Sequence, residues 1–574
     1  MTDVPKVVIG QYSQKGRKDI NQDACRYHVP NDPFLSTKGI AISLADGISS
    51  SNVSQEASQT AVSGFIDEYY STPESWSVEN AGTCVLNAMN SWLYAQTKRS
   101  DFKYNIDKGY VCTFSGLIIK GTKAHLFHIG DSRIVHIRDQ KPKVLTKEHR
   151  TYVSSQESYL SRAIGMREEL KVDYTTVPLK NDDHFLLMTD GVYENISADD
   201  VTQVLNSHGN DLNACAKMLT DIAYKNGSTD NLTVQIIKVN ALSDDNTIEL
   251  HEDMSELPLP PTLEARMEFD GYIIERKLYK SARSHVFLAT DKETGESVVL
   301  KTLAAELKED STARERFLLE EWIARRVNSA NLLKPCLANR KRAYFYIATE
   351  YIEGQTLSQW MTDNPSPKLE VVRDIIEQIA KGLLALHRKE MLHQDLRPEN
   401  IMIDNTGTVK IIDFGAVRVA GIDEIHATPP SPAILGTAQF TAPEYFLGEY
   451  GTPESDQFSL AVIAYQMLCG KLPYGNEIAR THTRAQQKRL KYRSVLHDDL
   501  PIPEWVDFAL RKALHPEPLK RYEYLSEFVY DLRQPNKTFL ARSRSPIIER
   551  NPVAFWQTVS FLLMLTIIGL LYWR

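Results

Sequence analysis

Cysteine is scarce in this chain. Six cysteines in 574 residues (Cys25, Cys84, Cys112, Cys215, Cys336 and Cys469) show no paired spacing, which argues against a disulfide framework or a zinc site and fits a reducing compartment. An excess of positive charge is missing too. The formal net charge is −8, so the basic field that accompanies a nucleic-acid partner is not there. The opening residues Met1-Thr2-Asp3-Val4-Pro5 lack a basic segment leading into an apolar run, and no signal peptide is expected. What is present is ordinary for globular protein, with 42% hydrophobic and 24% charged residues. A chain this long exceeds one hydrophobic core and points to about two to four domains.

Within residues 1–240 one local design recurs. Ile40-Ala41-Ile42-Ser43-Leu44-Ala45-Asp46-Gly47 reads as a buried strand ending on an acidic turn. The runs ending in Gly130-Asp131-Ser132-Arg133 and in Met188-Thr189-Asp190-Gly191 repeat it, and Ser228-Thr229-Asp230-Asn231 places a fourth acid just before another strand. One Asp-Gly after a strand is an ordinary turn. Four such acids can converge on one edge of a sheet sandwich, where hard oxygen ligands suit Mg²⁺ or Mn²⁺. Two such ions can share an activated water that attacks a phosphate ester.

The order of these segments resembles the metal-dependent, type-2C family of Ser/Thr protein phosphatases. The resemblance implies an αββα sandwich holding two or three metal ions. By motif position Asp46 would bridge two of them, the Gly47 carbonyl would be a ligand, and Asp190 and Asp230 would complete the first site. Asp23 would ligate a metal or orient its water, and Asp131 would serve a weaker third site. Two positions depart from the family. Gln22 stands where an acid often precedes the first aspartate, and Lys18, with Arg17 beside it, stands where a phosphate-contacting arginine is usual. Lysine attracts phosphate but lacks the planar fork of arginine.

Residues 241–268 read as a linker, acidic at first and then stiffened by Pro258-Leu259-Pro260-Pro261. Beyond it, Leu392-His393-Gln394-Asp395-Leu396-Arg397-Pro398-Glu399-Asn400 is followed by Asp413-Phe414-Gly415 and Ala442-Pro443-Glu444. Two carboxylates and an amide on short turns are what phosphoryl transfer from ATP requires, one to orient the attacking hydroxyl and two to hold metal on the phosphates. These segments resemble the catalytic and metal-binding loops of eukaryotic-type Ser/Thr protein kinases, which implies a two-lobed fold over residues 269–533. By that resemblance Asp395 would be the catalytic base, Asn400 and Asp413 would hold one or two Mg²⁺ or Mn²⁺ with ATP, and Lys301 would bind phosphates. Glu320 is the expected partner of Lys301, with Glu321 the alternative. Arg397 stands where the family has a γ-phosphate lysine. Leu278 and Val286 would flank the nucleotide, and Glu350 and Tyr351 would form the adenine hinge. The glycines that usually close over the phosphates are missing, their positions being Tyr279, Ser281 and Ser284. Gln394 replaces the arginine that grips a phosphorylated activation loop, so independence from that switch is expected. Gly436-Thr437, with Arg397, favours Ser/Thr over Tyr as the acceptor.

After a juxtamembrane linker at 534–552, residues 553–573 form an uncharged, mostly apolar stretch bounded by Phe555, Trp556, Tyr572 and Trp573. It has the ~20-residue length that crosses a bilayer as a helix, with aromatic residues where interfaces prefer them. Lys537, Arg542, Arg544 and Arg550 precede it and only Arg574 follows, which places the N-terminal side in the cytoplasm. The expectation is therefore a multidomain α/β chain, tail-anchored by a single pass in the cytoplasmic membrane, with both catalytic domains cytoplasmic. It would be a bifunctional signalling enzyme acting on proteins that bear Ser/Thr or phospho-Ser/Thr, the chain itself among them. The missing glycines leave a second reading open, an active phosphatase governed by a kinase-like nucleotide-binding domain.

Overall fold

The computed structural model describes residues 6–241, 257–424, 438–542 and 552–572, apart from 32, 153–157, 209–210, 282, 308–309, 337–341 and 497–501. The acidic part of the linker, Gly436-Thr437, Arg544, Arg550, Trp573 and Arg574 lie outside the described residues.

Among the described residues the N-terminal part contains twelve strands. The first four are β1 (Lys6–Gln14), β2 (Asp23–His28), β3 (Ile40–Asp46) and β4 (Phe114–Lys120). Next come β5 (Lys123–Ile129), β6 (Arg133–Arg138), β7 (Lys141–Val144) and β8 (Arg150–Tyr152). The set ends with β9 (Ser158–Leu160), β10 (Asp173–Pro178), β11 (His184–Met188) and β12 (Leu232–Ala241). Ten of them make two five-stranded sheets, ordered β1-β12-β11-β6-β7 and β10-β5-β4-β3-β2. Apolar residues of the two inner faces meet in one core that includes Ile42, Leu44, Leu117, Leu126, Phe185, Leu187 and Ile237. The central strands β3, β4, β5 and β11 are buried at nearly every position because helices cover the outer faces as well. Helices Ser54–Ser71 and Val78–Arg99 bury Phe65, Tyr69, Leu86 and Leu93 on one side. Helices Ala198–His208 and Leu212–Lys225 do the same on the other. The expected αββα sandwich is thus present.

The second domain opens with a five-stranded sheet, β13 (Glu268–Phe269), β14 (Tyr272–Lys280), β15 (Ser284–Asp291), β16 (Ser297–Leu303) and β17 (Tyr346–Glu350), paired in that order. Helix Ser311–Arg326 accompanies this sheet. A larger helical lobe follows, centred on Leu369–His387 and Pro453–Cys469. The second of these is closed by a capping box at Thr452 and Ser455 and by Gly470 in the left-handed region, φ 66°. It is buried on all sides, as a helix apolar all round must be.

The last helix, Pro552–Tyr572, falls on the stretch expected to span a membrane and carries no charged residue. Its apolar side chains stand exposed, Phe561 by 59% and Leu570 by 73%. Among the described residues no helix is long and apolar enough to cross a membrane, the side chains of Pro552, Ala554 and Tyr572 lying outside that set. The expected segment is therefore found as a helix and not as a demonstrated span.

Candidate active sites

The strand register of the N-terminal sandwich gathers the predicted acids. Asp23 opens β2 directly opposite Asp46, the last residue of β3. Thr113 fixes the end of β3, its N–H donating to the Asp46 carbonyl (2.8 Å) and its hydroxyl accepting from the Asp46 N–H (3.1 Å). Hydroxyls of Thr189 and Thr233 donate to Asp23 Oδ2 at 3.0 and 2.7 Å, while Asp23 Oδ1, fully buried, receives no hydrogen bond. Burial, opposed by those two hydroxyls, pushes the Asp23 carboxyl up to about 7. Burial and then the charges of Asp23, Asp190, Asp131 and Asp230 hold Asp46 well above the usual carboxylate range. Burial, with Asp131 and Asp230 adding to it, raises Asp190 to about 6. Asp23, Asp46, Asp131 and Asp190 thus crowd one buried region, each raised by burial and too many to be ionised together without a cation. Asp230 stands at its more exposed rim.

Part of that charge is met internally. Arg150, on β8, donates through Nε to Asp131 Oδ2 and through Nη2 to Asp190 Oδ2, both at 2.6 Å, and reaches Glu194 Oε1 at 3.2 Å. Lys18 Nζ lies 3.2 Å from Asp230 Oδ1 and 2.8 Å from Ser49 Oγ. With these carboxylates paired to side-chain cations, no three of His, Cys, Asp and Glu among the described residues are grouped to hold a metal ion as they stand. The unmet Asp23 Oδ1 and the raised carboxyls still fit a divalent cation. Gly47 follows Asp46, and its N–H donates to the Gln22 carbonyl at 3.1 Å.

The second constellation lies between the two lobes of the second domain. Lys301 Nζ, on β16, donates to both oxygens of Glu320, at 2.7 and 2.8 Å, and to Asp413 Oδ1 at 3.2 Å. Burial works against the Lys301 charge, but Glu320 and Asp413 outweigh it and hold the ammonium above its ordinary value. The same burial raises Glu320 to about 7. Asp413 stays below the usual range despite its own burial, because Lys301 is beside it. Asn400 Nδ2 donates to the carbonyl of Asp395 at 2.9 Å and to its Oδ2 at 3.1 Å. Arg397 Nε lies 3.9 Å from the same carboxylate oxygen. Asp456, fully buried in the first turn of helix Pro453–Cys469, accepts from the N–H of His393 (2.8 Å) and of Gln394 (3.0 Å), fixing the loop from below. Lys301, Glu320, Asp395, Arg397 and Asp413 line one cavity of about 780 Å³ together with Tyr279, Ser281 and Ser284.

Comparison with known proteins finds two domains in the same places along the chain. The Protein phosphatase 2C model matches residues 11–223 and the Protein kinase domain model matches residues 272–532. The chain joins a type-2C protein phosphatase domain to a protein kinase domain. Serine/threonine-protein kinase PrkC of Bacillus subtilis is 27% identical over 266 residues, which is 46% of this chain and 40% of that protein. Serine/threonine-protein kinase PknL of Mycobacterium tuberculosis is 31% identical over 218 residues, 38% of this chain and 54% of its own. The chain spans about half the length, or less, of these curated relatives. The solved Mycobacterium tuberculosis phosphatase PstP/Ppp overlays 41% of this chain and 99% of its own at 21% identity, with a TM-score of 0.35.

Several expected residues sit differently from their anticipated roles. In the phosphatase domain Arg17 turns away from the acids, its guanidinium over the Tyr224 ring at 5.2 Å and near the carbonyls of Gly227 and Tyr224. The end of helix Leu212–Lys225 attracts it there, and Lys18 alone of the pair faces the cluster. Gln22 is structural, donating to Ser51 O and Ser54 Oγ. In the kinase domain Glu320 is the partner of Lys301, and Glu321 instead binds Arg325 and Arg342. Leu278 lies on β14 and Val286 on β15, while Glu350 ends β17 and Tyr351 follows it. Glu350 is engaged by Lys410 Nζ at 2.7 Å and by the Lys334 N–H. The glycine-free hairpin tip is closed by Ser281, whose hydroxyl accepts from the N–H groups of Arg283 and Ser284. Arg150, Thr189 and Thr233 were not anticipated at all. Nothing in the local sequence of Arg150 marks it, since its partners come from the β5–β6 turn and the segment after β11.

Proposed function

We propose that this chain is a bifunctional enzyme, transferring phosphate from ATP to protein Ser/Thr and hydrolysing protein phospho-Ser/Thr. The observation that carries the kinase half is the assembled Lys301–Glu320 pair, with Asp413, Asp395 and Arg397 in the same cavity. Phosphoryl transfer depends on positioning charged groups around the phosphates, and this pair is one of the parts that must be in place. Lys301 holds phosphate oxygens, and Asp395, fixed by Asn400, accepts the proton of the incoming hydroxyl. Burial raises the Asp395 carboxyl above the ordinary aspartate value, which makes it a stronger proton acceptor. Arg397 keeps positive charge beside it. Asn400 and Asp413 would hold one or two Mg²⁺ or Mn²⁺ with ATP, neutralising the phosphates. Ser281 supports the hairpin where glycines are usual, so the altered loop is compatible with nucleotide binding. This assembly weighs against a domain kept only for binding.

In the phosphatase domain Asp46, the Gly47 carbonyl, Asp190 and Asp230 would hold two Mg²⁺ or Mn²⁺, Asp23 would ligate a metal or orient its water, and Asp131 would serve a weaker third site. Bound there, the metal supplies an activated water for attack on a phosphate ester. The protein's own part is to orient. Thr189 and Thr233 fix Asp23, and Lys18 at the rim attracts the phosphate group. We also propose that helix Pro552–Tyr572 anchors the chain by a single pass in the cytoplasmic membrane, both domains facing the cytoplasm. Its lack of charge and its row of exposed apolar side chains support this reading.

The deciding experiment is γ-phosphate transfer by the full chain carrying Asp46→Asn and Asp230→Asn, so that hydrolysis cannot erase the label. Labelling of a generic protein acceptor that falls by at least about a hundredfold on adding Asp395→Asn is the expected result. No labelling, alongside ester hydrolysis by the unsubstituted chain, would favour a phosphatase governed by a kinase-like domain.

A further inference from the structure

The two domains share a built interface that lies outside both candidate active sites. It joins the turn before phosphatase helix Val78–Arg99 to the kinase. Trp76 Nε1 donates to the Arg388 carbonyl at 3.0 Å, and the Ser77 N–H donates to Glu390 Oε2 at 2.5 Å. The Val78 N–H donates to Glu424 Oε2 at 2.9 Å, so two kinase carboxylates satisfy the start of a phosphatase helix. Lys120, its side chain wholly buried, donates to the Gly421 carbonyl at 2.6 Å and pairs with Glu424 at 3.4 Å. A buried ammonium costs several kcal/mol unless paired, and Lys120 is paired across the interface with kinase groups. Lys38, also buried, supports the same turn from behind through Thr72 Oγ1 and the Pro73 carbonyl. At Gly421 the backbones touch. Its N–H donates to the Ser75 carbonyl at 3.0 Å, and a Cβ there would stand 2.6 Å from Trp76 O and 2.7 Å from Glu74 O.

The kinase residues contacted are not arbitrary. Gly421 and Glu424 begin the segment that leaves Asp413-Phe414-Gly415, and Glu390 lies just before the catalytic loop. Arg326, which pairs with phosphatase Glu74 at 2.9 Å, ends the helix Ser311–Arg326 that carries Glu320. Kinase catalysis depends on placing that helix and that segment. Here Gln394 replaces the arginine through which a phosphorylated segment would be held, so anchoring must come from another source.

We propose that the phosphatase domain is the in-cis positioning element of the kinase, clamping both its Glu320 helix and the start of its activation segment, independently of its own hydrolytic chemistry. Glu74, Lys120, Arg326, Gly421 and Glu424 are then positioning residues. This rests on the kinase reading above.

The test uses the full chain with Asp46→Asn as parent for transfer, and the unsubstituted chain for hydrolysis of a small phosphate ester. Gly421→Ala is tolerated by its own helix but collides with the other domain's backbone, and Glu74→Arg sets two like charges face to face. Each is expected to lower kcat/KM for transfer about tenfold, a factor worth about 1.4 kcal/mol, while ester hydrolysis stays within about twofold. Hydrogen exchange should quicken in residues 311–326 and 418–424. Adding Arg326→Glu to Glu74→Arg should restore transfer and exchange together. Transfer that ignores both variants overturns the inference alone, as does exchange that does not respond to them. A parent that transfers nothing overturns the kinase reading and this inference with it.

Discussion

At the residue scale, the phosphatase acids crowd like charge into a buried region. Asp23, Asp46 and Asp190 all have carboxyls raised by burial and by one another. A carboxyl raised in the folded state binds more protons than the unfolded chain between its two pKa values. Its stabilising effect is therefore complete below the ordinary value of 3.8 and is lost as the pH rises through about 7. In metal-free protein these acids should thus subtract a few kcal/mol of stability between pH 4 and 7, since each tenfold weakening of an acid on folding is worth about 1.4 kcal/mol. Buried His125 and His128, held neutral by burial, act in the opposite direction, so the acids' share is read as the difference between the unsubstituted chain and Asp23→Asn. Mn²⁺ should reverse the loss at pH 7 by replacing the protons, and by much less at pH 4. Denaturant unfolding at several pH values, with and without Mn²⁺, reads this directly. A metal effect equal at both ends of the range would contradict the assignment of these acids.

At the scale of elements, what was legible in the sequence was whatever a strand or turn carries locally. Asp46, Asp131 and Asp190 end buried strands or follow them, and antiparallel pairing brings such ends to one edge. The catalytic segment was legible for the same reason, since Asp395, Asn400 and Asp413 sit on short turns with fixed spacing. The Glu320–Glu321 ambiguity was not, because one step along a helix turns a side chain by about 100° and the receiving neighbour decides. Arg150 and Lys120 were invisible for a related reason. Their partners lie up to 304 residues away, and nothing in local periodicity reports them. Helix Pro453–Cys469 shows how elements are locked. Arg521 pairs with Glu444 at 2.7 Å, with side-chain exposures of 0% and 3%, and it donates also to the carbonyls of Glu454, His515 and Pro516. Glu444→Ala leaves that guanidinium buried without a counter-charge and should cost about 3–5 kcal/mol of kinase-domain stability. A loss below about 1 kcal/mol in urea unfolding would mean that water or a neighbouring carboxylate takes over.

At the scale of the whole molecule, helix Pro552–Tyr572, if it is the anchor proposed above, sets where both proposed activities operate. Phe561, Leu562, Leu563, Met564, Leu565, Ile567 and Ile568 are each at least half exposed. Burying such a surface in lipid gains roughly 25 cal/mol per Å², and no charged side chain in the helix opposes insertion. Both domains fold around cores that do not include this helix. Removal of residues 552–574 is therefore expected to convert a membrane-bound protein into a soluble one, with each activity on soluble substrates retained within about twofold. Fractionation after alkaline carbonate extraction distinguishes insertion from peripheral attachment. Release of the full chain by carbonate would mean that the apolar face is covered by protein, and that the anchor assigned here is a docking helix instead. With insertion, substrates held at the same membrane meet both domains at raised effective concentration, so truncation should slow phosphate turnover on a membrane-tethered acceptor far more than on the same acceptor free in solution.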